Sequence, residues 1–248
     1  MVAVFGLSAQ GNLKAQDMSA LDGKQQKIAA IAANTAVGDL KTLKTELAAG
    51  LDAGLTVNQI KEVLVQMYAY CGFPCSLQGI NTFTTLLEER RAAGIADPAG
   101  PEASPITAGD DNKYARGKTN LQRLTGRVED APSGANAFAP AIDTYLKEHL
   151  FADIFERDVL TFQERELATI SALAAMTGVE PMLRAHSGMG RNTGLSEAQI
   201  EEAVAMAGKV GSGFRAAFPL GGRGPAQWFT GEVYVQGLST SLPEDVQL

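Results

Sequence analysis

The chain contains an internal repeat at a spacing of about 140 residues, and this repeat restricts its fold more than any other feature. Residues 54–62 (GLTVNQIKE) return as residues 194–202 (GLSEAQIEE). Upstream, residues 21–25 (LDGKQ) resemble residues 160–164 (LTFQE), so two matching windows occur in the same order. This pattern indicates a duplication in which each copy folds into a similar unit.

Each window also carries the signals of a helix start. In a capping box, a Ser, Thr or Asp stands three residues before a Gln or Glu, and each side chain bonds the other's backbone amide. This spacing occurs at Asp22 with Gln25, Thr56 with Gln59, Thr161 with Glu164, and Ser196 with Gln199. Between the caps, apolar residues recur at intervals of three and four, which is typical of helices. The sequence therefore predicts an all-α fold with two helical repeats packed about a pseudo-twofold axis.

Composition narrows the classes of function. The formal net charge of −7 argues against a nucleic-acid surface, which needs a basic face. No apolar run reaches the roughly 18 to 20 residues that a bilayer requires, so we expect no membrane span. Two cysteines and two histidines are too few for a disulfide scaffold or a His-rich metal site. The remaining exposed apolar faces of the repeats favour a homo-oligomer.

The chain divides into five predicted segments. These are an N-terminal segment (1–19), a first repeat (20–92), a loop and connector helix (93–157), a second repeat (158–222) and a C-terminal arm (223–248). Prolines and glycines between residues 94 and 110 predict loop, whereas apolar spacing between residues 139 and 157 predicts the connector helix.

The first residues leave the location of the protein open. Residues 1–9 form a short apolar run that ends in small residues, but no Lys or Arg precedes it. A basic start is part of an export signal, so we expect a cytoplasmic protein with a flexible N-terminus. Export to the periplasm is the alternative, if residues 1–9 are the remnant of a truncated signal.

Two features carry candidate chemistry. Cys71 and Cys75 have C-x-x-x-C spacing, which differs from the C-x-x-C of dithiol redox motifs and suits either a redox pair or small pocket residues. His186 and Glu166 lie on consecutive predicted helices of the second repeat. In an antiparallel hairpin, Glu166 would orient or protonate His186, as carboxylates do in acid–base pairs.

Several motifs, in order, resemble the carboxymuconolactone decarboxylase family. They are residues 62–74 (EVLVQMYAYCGFP), 160–167 (LTFQEREL), 183–186 (LRAH) and 192–200 (NTGLSEAQI). The chain is similar to a tandem two-repeat member of this family, which belongs with alkylhydroperoxidase D. The resemblance implies two alkylhydroperoxidase D-like all-helical repeats and a trimer-like homo-oligomer.

The resemblance also bears on the site residues. The peroxidase branch of the superfamily uses a Glu, then C-x-x-C, then a His. Glu166 and His186 match the Glu and His positions, whereas Val179 and Met182 stand where the two cysteines would be. In the first repeat, Lys27 or its neighbour and Glu46 take the Glu and His positions, so that copy is predicted to be degenerate.

The decarboxylase branch keeps the Glu and the His without the dithiol, and the chemistry that it implies needs no cofactor. We expect a carboxy-lyase or isomerase that acts on a small carboxylated lactone or enolisable acid, with His186 as proton donor and Glu166 orienting it. The pocket would be shaped by Tyr70, Cys71 and Pro74. Arg184 and Arg191 are the candidate anchors for the substrate carboxylate.

Two alternatives remain at this level. One is a peroxiredoxin-type thiol oxidoreductase whose redox pair has moved to Cys71 and Cys75. The other is a non-catalytic oligomeric binding protein that keeps the pocket without turnover.

Overall fold

The computed structural model describes residues 19–106 and 112–210, together with the backbone of two short strands. These strands, β1 (Gly222–Arg223) and β2 (Tyr234–Val235), pair in antiparallel fashion within a separate unit formed by residues 212–248. The N-terminal segment and most of the C-terminal arm predicted from the sequence lie outside the described residues.

The first repeat consists of three helices that begin at the predicted caps. They are α1 (Gly23–Val37), α2 (Leu40–Asp52) and α3 (Val57–Ala92). The Asp22 side chain caps α1 and the Thr56 side chain caps α3, and both form the complete capping box with the residue three positions on. The local sequence thus determines where α1 and α3 begin.

A kink divides α3 after residue 71. Gly72 has φ 80° and ψ 165°, a conformation that side chains with a Cβ rarely adopt, and Pro74 follows two residues later. Residues 57–71 and 73–92 therefore form two helical segments with different directions. The kink lies directly after Tyr70 and Cys71, so both side chains stand at the end of the first segment.

The connector is more helical than the sequence predicted. It holds α4 (Lys113–Thr125), the short helices α5 (Gly134–Phe138) and α6 (Pro140–Thr144), and a π-helix (Tyr145–Ile154). The predicted loop is found at residues 95–106, but α4 was missed because it is polar along most of its length and buries only Gly117 and Leu124. The predicted connector helix is present as α6 and the π-helix. Ile142 of α6 and Tyr145 at the start of the π-helix are exposed, whereas Leu150, Phe151 and Ile154 of the π-helix are buried.

The second repeat has the same three-helix plan as the first. It consists of α7 (Phe162–Ala175), α8 (Glu180–Asn192) and α9 (Glu197–Val210). Thr161 forms the capping box of α7 with Glu164, and the Ser196 hydroxyl accepts the backbone N–H of Gln199 at the start of α9. All four predicted capping boxes are therefore confirmed.

Equivalent glycines show how closely the two repeats correspond. A Cβ on Gly50 of α2 would lie 3.2 to 3.6 Å from three apolar side-chain termini, those of Ile31, Leu55 and Ile60. A Cβ on Gly190 of α8 would lie 2.8 to 3.7 Å from the equivalent atoms of Ile170, Leu195 and Ile200. Each glycine thus allows the second helix of its repeat to approach the other two.

The core is shared between the repeats. Helices α1 and α7 pack against each other at its centre, and one continuous apolar cluster contains side chains from both repeats. Helix α1 contacts α9 as α7 contacts α3, the reciprocal pattern that a pseudo-twofold axis produces. The predicted all-α, two-repeat fold is confirmed. Within the described residues, no helix combines the length and the hydropathy needed to cross a bilayer.

Candidate functional site

The structure brings Glu166 and His186 into direct contact. Glu166 lies in the second turn of α7 and is fully buried, whereas His186 in α8 is 9% exposed. The Glu166 Oε2 atom lies 2.8 Å from His186 Nδ1. The antiparallel packing of α7 and α8 therefore produces the pair that the sequence suggested.

This contact indicates the roles of the two imidazole nitrogens. An ionised carboxylate can only accept a hydrogen bond, so in that state of Glu166 the Nδ1 atom carries a hydrogen and donates it to Oε2. The other nitrogen, Nε2, is then the one left to act on a ligand. Because Glu166 is held within α7, the imidazole has one preferred orientation.

Tyr70 reaches the same place from the first repeat. Its ring meets the His186 ring edge-on, with centroids 5.7 Å apart and planes at 80°. Burial raises the pKa of the Tyr70 hydroxyl, and the negative charge of Glu166 adds to this effect, so the phenol stays neutral. Among the described residues, neither the Tyr70 hydroxyl nor Glu166 Oε1 has a hydrogen-bond partner, although both atoms are buried. Such unsatisfied atoms are costly and are typical of functional sites.

A polar stripe on α3, formed by Glu62, Gln66 and Tyr70, faces the turns of α7 that carry Glu166. Gln66 Nε2 donates to the Arg165 carbonyl oxygen and to Thr169 Oγ1, both at 2.9 Å. In return, Arg165 Nη1 donates to Gln66 Oε1 at 2.9 Å. The stripe thus ties α3 of the first repeat to the turns of α7 on either side of Glu166.

Glu62, at the N-terminal end of this stripe, belongs to an ion-pair network. Glu62 accepts from Arg165 Nη2 at 3.0 Å and from Arg157 Nη2 at 2.6 Å, and Arg165 is fully buried. The sequence analysis missed this network. Its signal was present, because the polar residues 62, 66 and 70 recur every four positions and the residues between them are mostly apolar.

The two cysteines lie on either side of the kink in α3 and are both reduced and half-buried. The Cys71 thiol donates to the Met67 carbonyl oxygen at 3.1 Å. Burial raises the pKa of Cys71 to about 12, and the adjacent Cys75 contributes to the rise. Cys71 is therefore a protonated thiol at neutral pH, whereas a peroxidatic cysteine reacts as the thiolate.

The positions of the missing dithiol carry no alternative chemistry. Val179 is the residue immediately before α8, and Met182 lies in the first turn of that helix and is 53% exposed. Pro74 follows the kink but makes no described contact with His186.

The first repeat holds a charged pair where the second holds Glu166 and His186. Lys27 Nζ lies 2.8 Å from Glu46 Oε2, and both side chains are about a quarter exposed. The two pairs occupy equivalent places in α1–α2 and α7–α8, but the carboxylate and the nitrogen base have changed helices. This copy therefore keeps the geometry of the pair without an imidazole.

Arg184 and Arg191 are not brought to His186. They line a cleft of about 450 Å³ between the end of α4 and another face of α8, together with Arg127, which the sequence analysis did not single out. We call this the arginine cleft. No periodicity linked Arg127 to α8, because it comes from the connector.

No metal centre is evident in the described part of the chain. Within residues 19–106 and 112–210, no three His, Cys, Asp or Glu side chains are arranged to hold a metal ion. The described site consists of a His–Glu pair, a neutral tyrosine and a supporting polar network.

Comparison with known proteins agrees with the duplicated helical plan. The model of the carboxymuconolactone decarboxylase family matches residues 8–81 and 140–218, which together make up more than half of the chain. This family domain indicates the alkylhydroperoxidase D-like superfamily. A search of curated proteins gave no match. The chain therefore belongs to the carboxymuconolactone decarboxylase family, as a member with two tandem repeats.

Proposed function

We propose that the protein is a cofactor-free acid–base enzyme that decarboxylates or isomerises a small carboxylated lactone or related enolisable acid. The buried Glu166–His186 pair carries this proposal. A carboxylate 2.8 Å from Nδ1 stabilises the imidazolium and leaves Nε2–H as the donor, which is the arrangement of a general acid.

The reaction requires only proton transfer and an electron sink within the substrate. In decarboxylation, the bond between the ring carbon and the carboxylate breaks and carbon dioxide leaves. The electron pair enters the conjugated ring carbonyl, which gives a dienolate. His186 Nε2–H then protonates carbon, and solvent returns the proton to the imidazole. Isomerisation would pass through a related dienolate that keeps the carboxylate: neutral His186 Nε2 would accept a proton from one carbon and return it to another.

The contribution of Glu166 is to position and charge-stabilise the imidazole. Its carboxylate is fixed between α7 and α8 and contacts only one of the two ring nitrogens. Tyr70 adds a neutral ring against the imidazole edge and excludes water from that side. Lys27 and Glu46 supply no comparable pair, so we assign the chemistry to the second repeat.

A thiol oxidoreductase is the second candidate. It is favoured by the two reduced cysteines, which interact with each other at the kink of α3. The raised pKa of Cys71 counts against it, because a protonated thiol reacts slowly with peroxide.

The test compares the two histidines. We expect His186→Gln to lower turnover by a factor of about 10² to 10⁴, the usual contribution of a general acid. His149→Gln is the matched control, because His149 is half exposed on the connector and pairs with Asp153. The assay follows carbon dioxide release from a panel of unsaturated lactone acids, and solvent deuterium incorporation for enolisable acids. Circular dichroism verifies the fold of each variant.

Three other outcomes would contradict the proposal. Equal loss in His186→Gln and His149→Gln would remove the specific role of His186. Activity with peroxide that disappears in Cys71→Ser and Cys75→Ser, while His186→Gln retains it, would establish the thiol enzyme. Tight binding of a small acid that neither histidine substitution affects, with no turnover, would identify a binding protein.

A further inference from the structure

The arginine cleft has features that the acid–base site does not use. Arg184, Gly188 and Arg191 are spaced at four and three residues along α8, so they share one face of the helix. Arg127 closes the cleft from the connector. His186 does not line it and instead faces Glu166 in the core.

The walls of the cleft are held in place. Asn192 Nδ2 donates to the Leu124 carbonyl oxygen at 2.8 Å, which fastens the end of α8 to the end of α4. The backbone N–H of Arg127 donates to Thr125 Oγ1 at 3.3 Å, just after Gly126 turns the chain in a left-handed conformation. The backbone that carries Arg127 is therefore fixed beside α8.

Among the described residues, only one of the three arginines of the cleft has an acidic partner. Arg191 is neutralised by Glu197, through contacts of 2.6 and 3.1 Å. Arg184 and Arg127 have no ion-pair partner among residues 19–106 and 112–210. Glu129, two residues beyond Arg127, is itself held by Lys147 at 2.6 Å. The cleft thus presents two uncompensated positive charges in a chain whose net charge is −7.

Gly188 forms the open floor between the two arginines of α8. A glycine inside a helix lowers helix stability, so its presence calls for a reason. Packing explains Gly190, because a Cβ at that position would lie 2.8 Å from the Ile170 side chain. A Cβ on Gly188 would have no described atom within 4 Å. Packing against the described residues therefore does not require a glycine at position 188, and the missing side chain leaves the helix surface between Arg184 and Arg191 open to a ligand.

We propose that the arginine cleft binds a small anion with two negative charges, either a phosphate group or a dicarboxylate. Guanidinium groups form paired hydrogen bonds with both kinds of oxyanion. The two unbalanced arginines match a dianion in charge, and the volume of about 450 Å³ admits a ligand larger than the anionic group itself. This site is separate from the His186–Glu166 pair and does not depend on the proposed function.

The experiment titrates the full-length protein with inorganic phosphate and, separately, with succinate by isothermal calorimetry. We expect saturable binding of at least one anion, and the preferred probe identifies the class of ligand. Arg184→Gln and Arg127→Gln should each weaken binding about tenfold or more. Arg91→Gln, the same change at an exposed position at the end of α3, should leave binding unaltered.

Gly188→Leu provides a test that leaves every charge in place. Its side chain would occupy the floor of the cleft, so binding should be lost while circular dichroism shows an intact helical protein. The proposal is overturned if neither anion binds saturably, if Arg91→Gln weakens binding as much as Arg184→Gln, or if Gly188→Leu binds normally. Retained His186-dependent activity in Gly188→Leu would separate this site from the acid–base site.

Discussion

Replacing Glu62 by glutamine is expected to destabilise the protein by about 3 to 4 kcal/mol. Glu62 is the only acidic partner described for the fully buried Arg165, whose Nη2 lies 3.0 Å away. Burial lowers the pKa of Arg165, which shows how poorly the surroundings solvate its charge. Glutamine keeps the shape of the side chain and one acceptor oxygen but removes the negative charge.

The magnitude follows from the two arginines taken separately. Removal of one partner of a buried ion pair costs about 3 to 5 kcal/mol, because the other charge stays buried without compensation. We take the lower end for Arg165, since the amide oxygen can still accept a hydrogen bond. Arg157 is 40% exposed, so water solvates it after the loss and its share is about 0 to 1 kcal/mol.

The measurement is urea unfolding followed by helical circular dichroism, at one protein concentration in case subunits associate. Glu89→Gln is the matched control. It breaks the pair with Lys44, whose side chain is 40% exposed while that of Glu89 is 54% exposed, and should cost no more than about 1 kcal/mol. The reasoning is refuted if Glu62→Gln costs no more than Glu89→Gln.

A double substitution tests the cause of the loss. If the cost comes from the uncompensated charge of Arg165, the pair Glu62→Met with Arg165→Met should unfold at a higher urea concentration than Glu62→Gln alone. A double variant that is the less stable of the two would show instead that the hydrogen bonds of Arg165 to Gln66 and to the Arg157 carbonyl carry the stability.

Three further predictions concern packing, thiol chemistry and capping. Gly117→Ala would place a Cβ 1.7 Å from the Lys147 carbonyl oxygen, so we expect a loss of about 3 kcal/mol or more in thermal unfolding. Gly208→Ala in α9, where no described atom lies within 4 Å of the new Cβ, should instead gain up to about 1 kcal/mol. Cys71, with its pKa raised to about 12, should react with iodoacetamide far more slowly than a peptide thiol near pH 8, and about tenfold faster with each added pH unit, as measured by mass spectrometry in Cys75→Ser. A pH-independent rate would contradict this. Thr161→Ala should lower the free energy of unfolding by about 1 kcal/mol through loss of the α7 cap.

The helices of the repeats could be predicted because their boundaries depend on neighbouring residues. A capping box brings together residues three positions apart, so Thr161 and Glu164 specify the start of α7 without the rest of the fold. The contact between Glu166 and His186 follows almost as directly, since both lie on one helical hairpin. Even the degenerate pair of the first repeat, Lys27 with Glu46, follows from the duplication.

The remaining contacts depend on how separate parts of the chain meet. Tyr70 reaches His186 because the first segment of α3 packs against α7, and no spacing in the sequence specifies that contact. Arg127 joins Arg184 only because α4, a mostly polar helix, packs its end on α8. The sequence therefore predicted the contact between Glu166 and His186 but not the cleft that brings Arg127 beside Arg184.

The two repeats carry different residue pairs at equivalent positions, Lys27 with Glu46 and Glu166 with His186. This difference has a consequence for how such a protein can evolve. In an assembly of identical single-repeat subunits, a substitution in the gene alters every site at once, so no site can lose its acid–base pair alone. A fused chain encodes its two halves separately, and either half can change while the other is preserved. Tyr70, which belongs to the first half but touches His186 in the second, illustrates the result. One half can specialise as the support of a site whose reactive groups are inherited by the other.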